Sequence, residues 1–230
     1  MKTALLDWLD RLPHVAVLPR WRANWWTGQQ SFHYGTQTYR HFYHGHNCGW
    51  PTGRMTERAV ELALADAWLA RTDGDVIEIG AVTPYYWPGR VKCVADPVDA
   101  HAAVTARTSV FDVDLHGRDV LSISTLEHIG LGDYGLPSDS SGPRRAFEKI
   151  ARESRWYLLT VPFGYNPYAD SVFFADEGPP AHYFAREARG NAWTEVSSAA
   201  AARRPYGDPP LNSEGGWANG LAVLERGDLL

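Results

Sequence analysis

Two cysteines, Cys48 and Cys93, in 230 residues make no disulfide framework. One falls in a loop pattern and the other inside an apolar run, so both are expected as free thiols in a reducing, cytoplasmic compartment. No apolar run approaches the roughly 20 residues of a membrane span. The opening Met1–Asp10 carries two aspartates where a signal peptide would be apolar. Positive charge is not in excess. Against 22 Lys and Arg stand 27 Asp and Glu, giving a formal charge of -5 and a pI near 6.0. That balance removes the electrostatic reason to expect nucleic acid or an anionic membrane as partner. Repeats and low-complexity tracts are missing too. The histidines His33, His41, His44 and His46 match no zinc-ligand spacing, so no metal is expected.

Aromatics are plentiful: ten Trp and eleven Tyr, clustered early in the chain. At this length one sizeable core is the default. The expected organisation is an N-terminal extension over residues 1–55 and one domain over 56–230. The extension opens on a short amphipathic helix with Leu5, Trp8 and Leu9 on one face. An aromatic-rich irregular segment follows over residues 13–30. A β-hairpin is predicted where two alternating runs flank Gly35-Thr36. Thr56 then caps a helix whose apolar residues run down to Gly74.

The rest of the chain is arranged around residues 75–97. Val76, Ile77 and Ile79 read as a buried strand, because β-branched residues suit a pleated sheet covered on both faces. Gly80 sits where that strand must turn and lets the backbone approach a ligand. A second apolar run from Val91 ends on Asp96. An acidic residue at that point of a dinucleotide-type fold accepts hydrogen bonds from a ribose diol. A phosphate-binding turn would want Gly-x-Gly-x-x-Gly, yet Gly80 is followed by Ala81-Val82-Thr83-Pro84. The pattern suits a nucleoside cofactor without a pyrophosphate, such as S-adenosylmethionine. The other reading of the same residues is a plain βα turn in an α/β protein.

Further along, His101–Arg107 is predicted as a short helix and Ser109–Asp114 as a third strand. A fourth strand begins at Arg118 and runs into the polar loop Ser124-Thr125-Leu126-Glu127-His128. Residues 132–143 form a Gly/Ser/Asp/Pro-rich loop able to act as a lid. A helix follows over Arg144–Ser154, then a fifth strand from Arg155. Ser171–Phe174, His182–Ala188, Trp193–Val196 and the stretch from Ala218 read as later strands. Strands alternating with helical patterns predict a doubly wound α/β sheet whose polar strand ends share one rim.

Four stretches in this order carry a family likeness. They are Asn47–Glu61, keeping Asn47, Glu57, Arg58 and Glu61; Val76-Ile-Glu-Ile-Gly80; Asp119-Val-Leu-Ser-Ile-Ser-Thr-Leu-Glu-His-Ile-Gly130; and Leu158-Leu-Thr-Val-Pro-Phe-Gly-Tyr-Asn-Pro167. Over about residues 40–170 the chain resembles class I, Rossmann-like, S-adenosylmethionine-dependent methyltransferases. It looks closest to a subgroup associated with sugar and polysaccharide biosynthesis. The resemblance implies a seven-stranded, mostly parallel sheet. It implies that Glu78, Gly80 and Ala81 lie at the methionine end of the cofactor and that Asp96 holds the ribose hydroxyls. Phe111 and Asp112 would face adenine, Ser124 and Thr125 would close the methionine pocket, and Arg58 would reach the cofactor carboxylate. The sequence departs from the family where Pro84-Tyr85-Tyr86-Trp87 replaces the later glycines of the first motif.

The expected activity is methylation of a hydroxyl on a sugar or glycosylated small molecule. A neutral hydroxyl is a poor nucleophile, so a base is needed. His128 is the candidate, with Glu127 orienting it or acting as base itself. Two other readings stay open. One is a methyltransferase fold that binds a ligand without transfer. The other is a nicotinamide enzyme, disfavoured by the missing glycines.

Overall fold

The computed structural model describes residues 31–44, 48–49, 54–186, 192–204, 206–207 and 218–227. The expected N-terminal helix, the aromatic segment and His46 lie outside these residues, and so does the Cys48 side chain. The chain is α/β. A hairpin of β1 (Ser31–Tyr34) and β2 (Gln37–Arg40) comes first, then the short antiparallel pair β3 (Cys48–Gly49) and β4 (Arg54–Met55). Next come α1 (Arg58–Arg71), β5 (Val76–Ile79), α2 (Thr83–Tyr86), β6 (Cys93–Ala95) and β7 (Asp119–Ile123). A 3-10 turn over Leu126–His128 leads to α3 (Gly142–Glu153), β8 (Trp156–Pro162) and α4 (Pro167–Phe173). The chain then forms β9 (His182–Arg186), β10 (Trp193–Val196), α5 (Ser198–Ala201) and β11 (Gly220–Arg226).

Seven strands form one mixed sheet in the order β10-β9-β11-β8-β7-β5-β6. Its centre is parallel: β5 pairs in parallel with both β6 and β7, and β7 with β8. The far side is antiparallel, with β11 inserted between β8 and β9, and β10 on the edge. Alternation along the strands feeds two cores. Ile77, Ile79, Val120, Leu159 and Val161 meet Ala146 and Ile150 of α3 and Val172 and Phe173 of α4. Leu121, Ile123, Leu158, Leu221 and Val223 meet Val60, Leu64 and Trp68 of α1. The hairpin belongs to this second core, since Phe32 and Tyr34 pack there with Phe184 and Trp193. Helices therefore cover both faces of the sheet, as the unbroken apolar runs require. No helix among the described residues is long and apolar enough to cross a membrane.

The α1 face also carries a polar pin. Glu61 is fully buried and accepts hydrogen bonds from Ser124 Oγ at the end of β7 and from Thr160 Oγ1 of β8, the latter at 2.7 Å. Arg58 Nη1 completes it at 2.6 Å.

Several expectations are corrected. Ser109–Asp114 is a series of turns, because the Phe111 amide donates to Ser109 Oγ and the Asp112 amide to the Ser109 carbonyl. Val110, Val113 and Leu115 are buried from that turn without joining the sheet. His101–Arg107 is not a helix. The His101 amide donates to Asp99 Oδ1, and Ala106 forms a single parallel bridge with Ala95. Ser171–Phe174 is not a strand. Asn166 caps a helix there, its side chain accepting from the Tyr168 amide at 2.9 Å with Pro167 in the first turn. α1 ends at Arg71, short of Gly74, while at its start the Thr56 hydroxyl accepts from the Arg58 amide at 3.3 Å as expected of a cap.

Candidate functional site

The strand order reverses at β5, with β6 on one side and β7 on the other. Beyond the carboxyl ends of these strands lies a cavity of about 680 Å³. That is the place an α/β sheet leaves for a ligand, and the size is within the ~300–1,000 Å³ of small-molecule sites.

The β5 wall is shaped by glycine. Gly80 takes φ +86°, and a β-carbon there would overlap Thr125 Oγ1. Only glycine lets the loop after β5 pass this close to the loop after β7. Glu78 does not line the cavity. It is fully buried, and its carboxylate accepts from the Val82 amide at 3.0 Å, the Thr83 amide at 2.7 Å and the Thr83 hydroxyl. Burial pushes it up to about 7, with the Thr83 and Val82 hydrogen bonds pulling the other way. Its work is to hold the turn that carries Ala81.

The β6 wall ends on Asp96, half-buried at the cavity. Its Oδ1 accepts from the amides of Val98 at 2.8 Å and Asp99 at 2.7 Å, and its Oδ2 from the Ala81 amide at 3.2 Å. The carboxylate thus ties the first two loops together at the rim. Phe111 and Asp112 join the same cavity from the turn after residue 109, with the Arg145 guanidinium 4.7 Å over the Phe111 ring.

The β7 wall carries Ser124, Thr125 and His128. Ser124 holds φ +40°, an uncommon conformation for a side-chain-bearing residue. Its amide donates to the Thr160 carbonyl and hydroxyl at 3.1 Å, and its hydroxyl to Glu61. Those bonds fix the sharp exit from the strand. His128 follows one turn later. Its Nδ1 lies 2.7 Å from Asp133 Oδ2, which also accepts from the Tyr165 hydroxyl at 3.1 Å. A neutral imidazole donating from Nδ1 leaves its Nε2 lone pair free.

Glu127 sits behind this imidazole, 2% exposed, with Oε1 3.8 Å from His128 Nε2. Burial and then Glu61 push its carboxyl well up, although Arg58 works against them. Glu57 is likewise pushed up to about 7, first by burial and then by Glu61. Arg58 does not line the cavity; it is paired with Glu61 among these carboxylates.

Eight of the sequence-predicted site residues therefore meet at one cavity: Gly80, Ala81, Asp96, Phe111, Asp112, Ser124, Thr125 and His128. Arg58, Glu78 and Glu127 support it from behind. The sequence reading missed Asp133, which takes the orienting position expected of Glu127, and the tyrosines Tyr134 and Tyr165 beside His128, at 5.2 and 4.6 Å between ring centres. The one available signal was an aspartate five residues past the histidine, in the stretch read only as a lid. That loop does reach the cavity, through Tyr134, Leu136, Pro137 and Asp139. No family model, curated protein or solved structure matches the chain.

Proposed function

We propose that the chain is an S-adenosylmethionine-dependent methyltransferase of Rossmann-like, doubly wound type. It acts on a hydroxyl of a sugar or glycosylated small molecule, with His128 as general base. One observation carries this reading. The cavity at the reversal of strand order joins the Gly80 turn and Asp96 to a histidine oriented by a carboxylate.

The cavity's charges fit such a cofactor. Asp96, Asp99, Asp112 and Asp139 line it, and its guanidinium, Arg145, is paired with Asp139 at 2.8 Å. That set suits a ribose diol, an adenine amine and a sulfonium, and offers a pyrophosphate nothing. When bound, the cofactor supplies an already electrophilic methyl group. The chain's own task is to align the acceptor, exclude water and take a proton. Asp133 holds the Nδ1 proton of His128 in place, so Nε2 is the atom that receives the proton of the acceptor hydroxyl. Tyr134, Leu136, Pro137 and Asp139 of the following loop line this side of the cavity.

The alternative, binding without transfer, draws on Asp96, whose carboxylate already serves three backbone amides. Mass spectrometry of candidate sugar acceptors incubated with the protein and S-adenosylmethionine separates the two. A product heavier by one methyl group is expected, reduced about 10²–10⁴-fold by His128→Ala. No product at saturating cofactor would leave only the binding role.

A further inference from the structure

Two carboxylates flank the His128 imidazole, and neither is fully used. Asp133 Oδ2 accepts at Nδ1, and Glu127 Oε1 stands 3.8 Å from Nε2. The second oxygen of each, Asp133 Oδ1 and Glu127 Oε2, is buried with no hydrogen-bond partner. Among the described residues His128 is the only ion-pair partner of either. Buried acceptors of this kind are normally satisfied, so two orphans on carboxylates that flank one imidazole ask for a donor the protein does not itself provide. The guanidinium among these carboxylates, Arg58, is taken by Glu61.

Aromatic rings lie beside the same imidazole. Tyr134 and Tyr165 lie against His128, and Tyr206 is 5.3 Å from Tyr165 between ring centres. Tyr134 is the ring of this group that lines the cavity. It is 64% exposed, belongs to the loop over the cavity and holds φ +51°. Carboxylate oxygens and tyrosine faces attract the same partner, an N–H-bearing cation, and both repel an anion. A neutral hydroxyl would satisfy one oxygen but gain nothing from the rings or from the summed charge.

We infer that this cage takes an acceptor bearing a protonated amine, in the manner of an amino sugar, with the ammonium between the Tyr134–Tyr165 pair and the free oxygens of Asp133 and Glu127. The role as acceptor rests on the methyltransferase reading; the binding does not. Phosphate-bearing sugars are excluded by the same charges.

Calorimetric and ligand-observed NMR titrations of the full chain with glucosamine, glucose and glucose 6-phosphate test this, at a pH where the amine is protonated. Glucosamine is expected to bind about tenfold tighter than glucose, and glucose 6-phosphate more weakly than either. Asp133→Asn should abolish the amine's advantage. Tyr134→Ala, at an exposed loop position, should weaken glucosamine while the protein stays folded. Three results would overturn the inference: no saturable glucosamine binding, glucose 6-phosphate matching glucosamine, or an unchanged preference in Asp133→Asn. S-adenosylhomocysteine, titrated in parallel, keeps the two readings apart. Its binding without glucosamine binding sinks this inference alone, and the reverse sinks the methyltransferase reading alone.

Discussion

Gly80 and Thr125 pack backbone against side chain. A β-carbon at Gly80 would overlap Thr125 Oγ1 and stand 2.7 Å from Cγ2. This contact joins the loops after β5 and β7, so it sets the mouth of the cavity. Gly80→Ala would add both that clash and a strained φ of +86°. The expected loss is about 1–3 kcal/mol of stability, measured by urea unfolding, with binding of adenosyl ligands reduced. Unchanged stability would mean that the loops separate freely.

Glu78 and Glu57 are both pushed up to about 7, in each case first by burial. A carboxyl that holds its proton more tightly folded than unfolded stabilises the fold at low pH. That contribution is complete below the ordinary value of 4.5 and is lost as the pH climbs to about 7. Unfolding free energy should therefore fall between those two values and then level. Glu78→Gln should flatten part of the fall while keeping an acceptor for the Val82 and Thr83 amides. Asp119 acts in the opposite sense. Burial alone would raise it, but the Arg155 and Thr72 hydrogen bonds hold it below 3.8, so its contribution is lost only in stronger acid. Stability that rises between pH 4.5 and 7 would contradict this assignment.

Glu61 joins α1 to β7 and β8 through Ser124 and Thr160 and neutralises Arg58. Glu61→Ala would leave a guanidinium and two hydroxyls without their acceptor. The expected cost is about 3–5 kcal/mol, read as a lowered denaturation midpoint. A loss under about 1 kcal/mol would show that water replaces the carboxylate.

The sequence was most legible where side-chain periodicity has one solution. Val76–Ile79, Asp119–Ile123 and Trp156–Pro162 are apolar runs too short for helices, and they form the parallel centre of the sheet. It misled where a side chain overrides the pattern. Ser109 closes a turn inside an alternating run, and Asn166 caps a helix where Val-Phe-Phe suggested a strand. Site residues at strand ends could be placed because the rim collects them. The buried role of Glu78 and the pairing of His128 with Asp133 depend on loop conformations that no spacing encodes.

Asp133 fixes one tautomer of His128 through a 2.7 Å contact. Asp133→Asn should therefore disturb the Nε2 lone pair without touching the β5 and β6 walls of the cavity. Methyl transfer is expected to fall about 10²-fold or more, with S-adenosylhomocysteine binding retained and the histidine ¹⁵N shifts changed. Equal loss of binding and turnover would instead assign Asp133 a structural role.

Cofactor binding is read first by a thermal-shift titration with S-adenosylmethionine and its demethylated product, with NADH as control. A ligand that binds only the folded state raises the melting temperature with concentration. An S-adenosylmethionine site predicts a saturable rise with both adenosyl ligands, none with NADH, and its loss in Asp96→Ala. No rise at millimolar adenosyl ligand, or an equal rise with NADH, would contradict it.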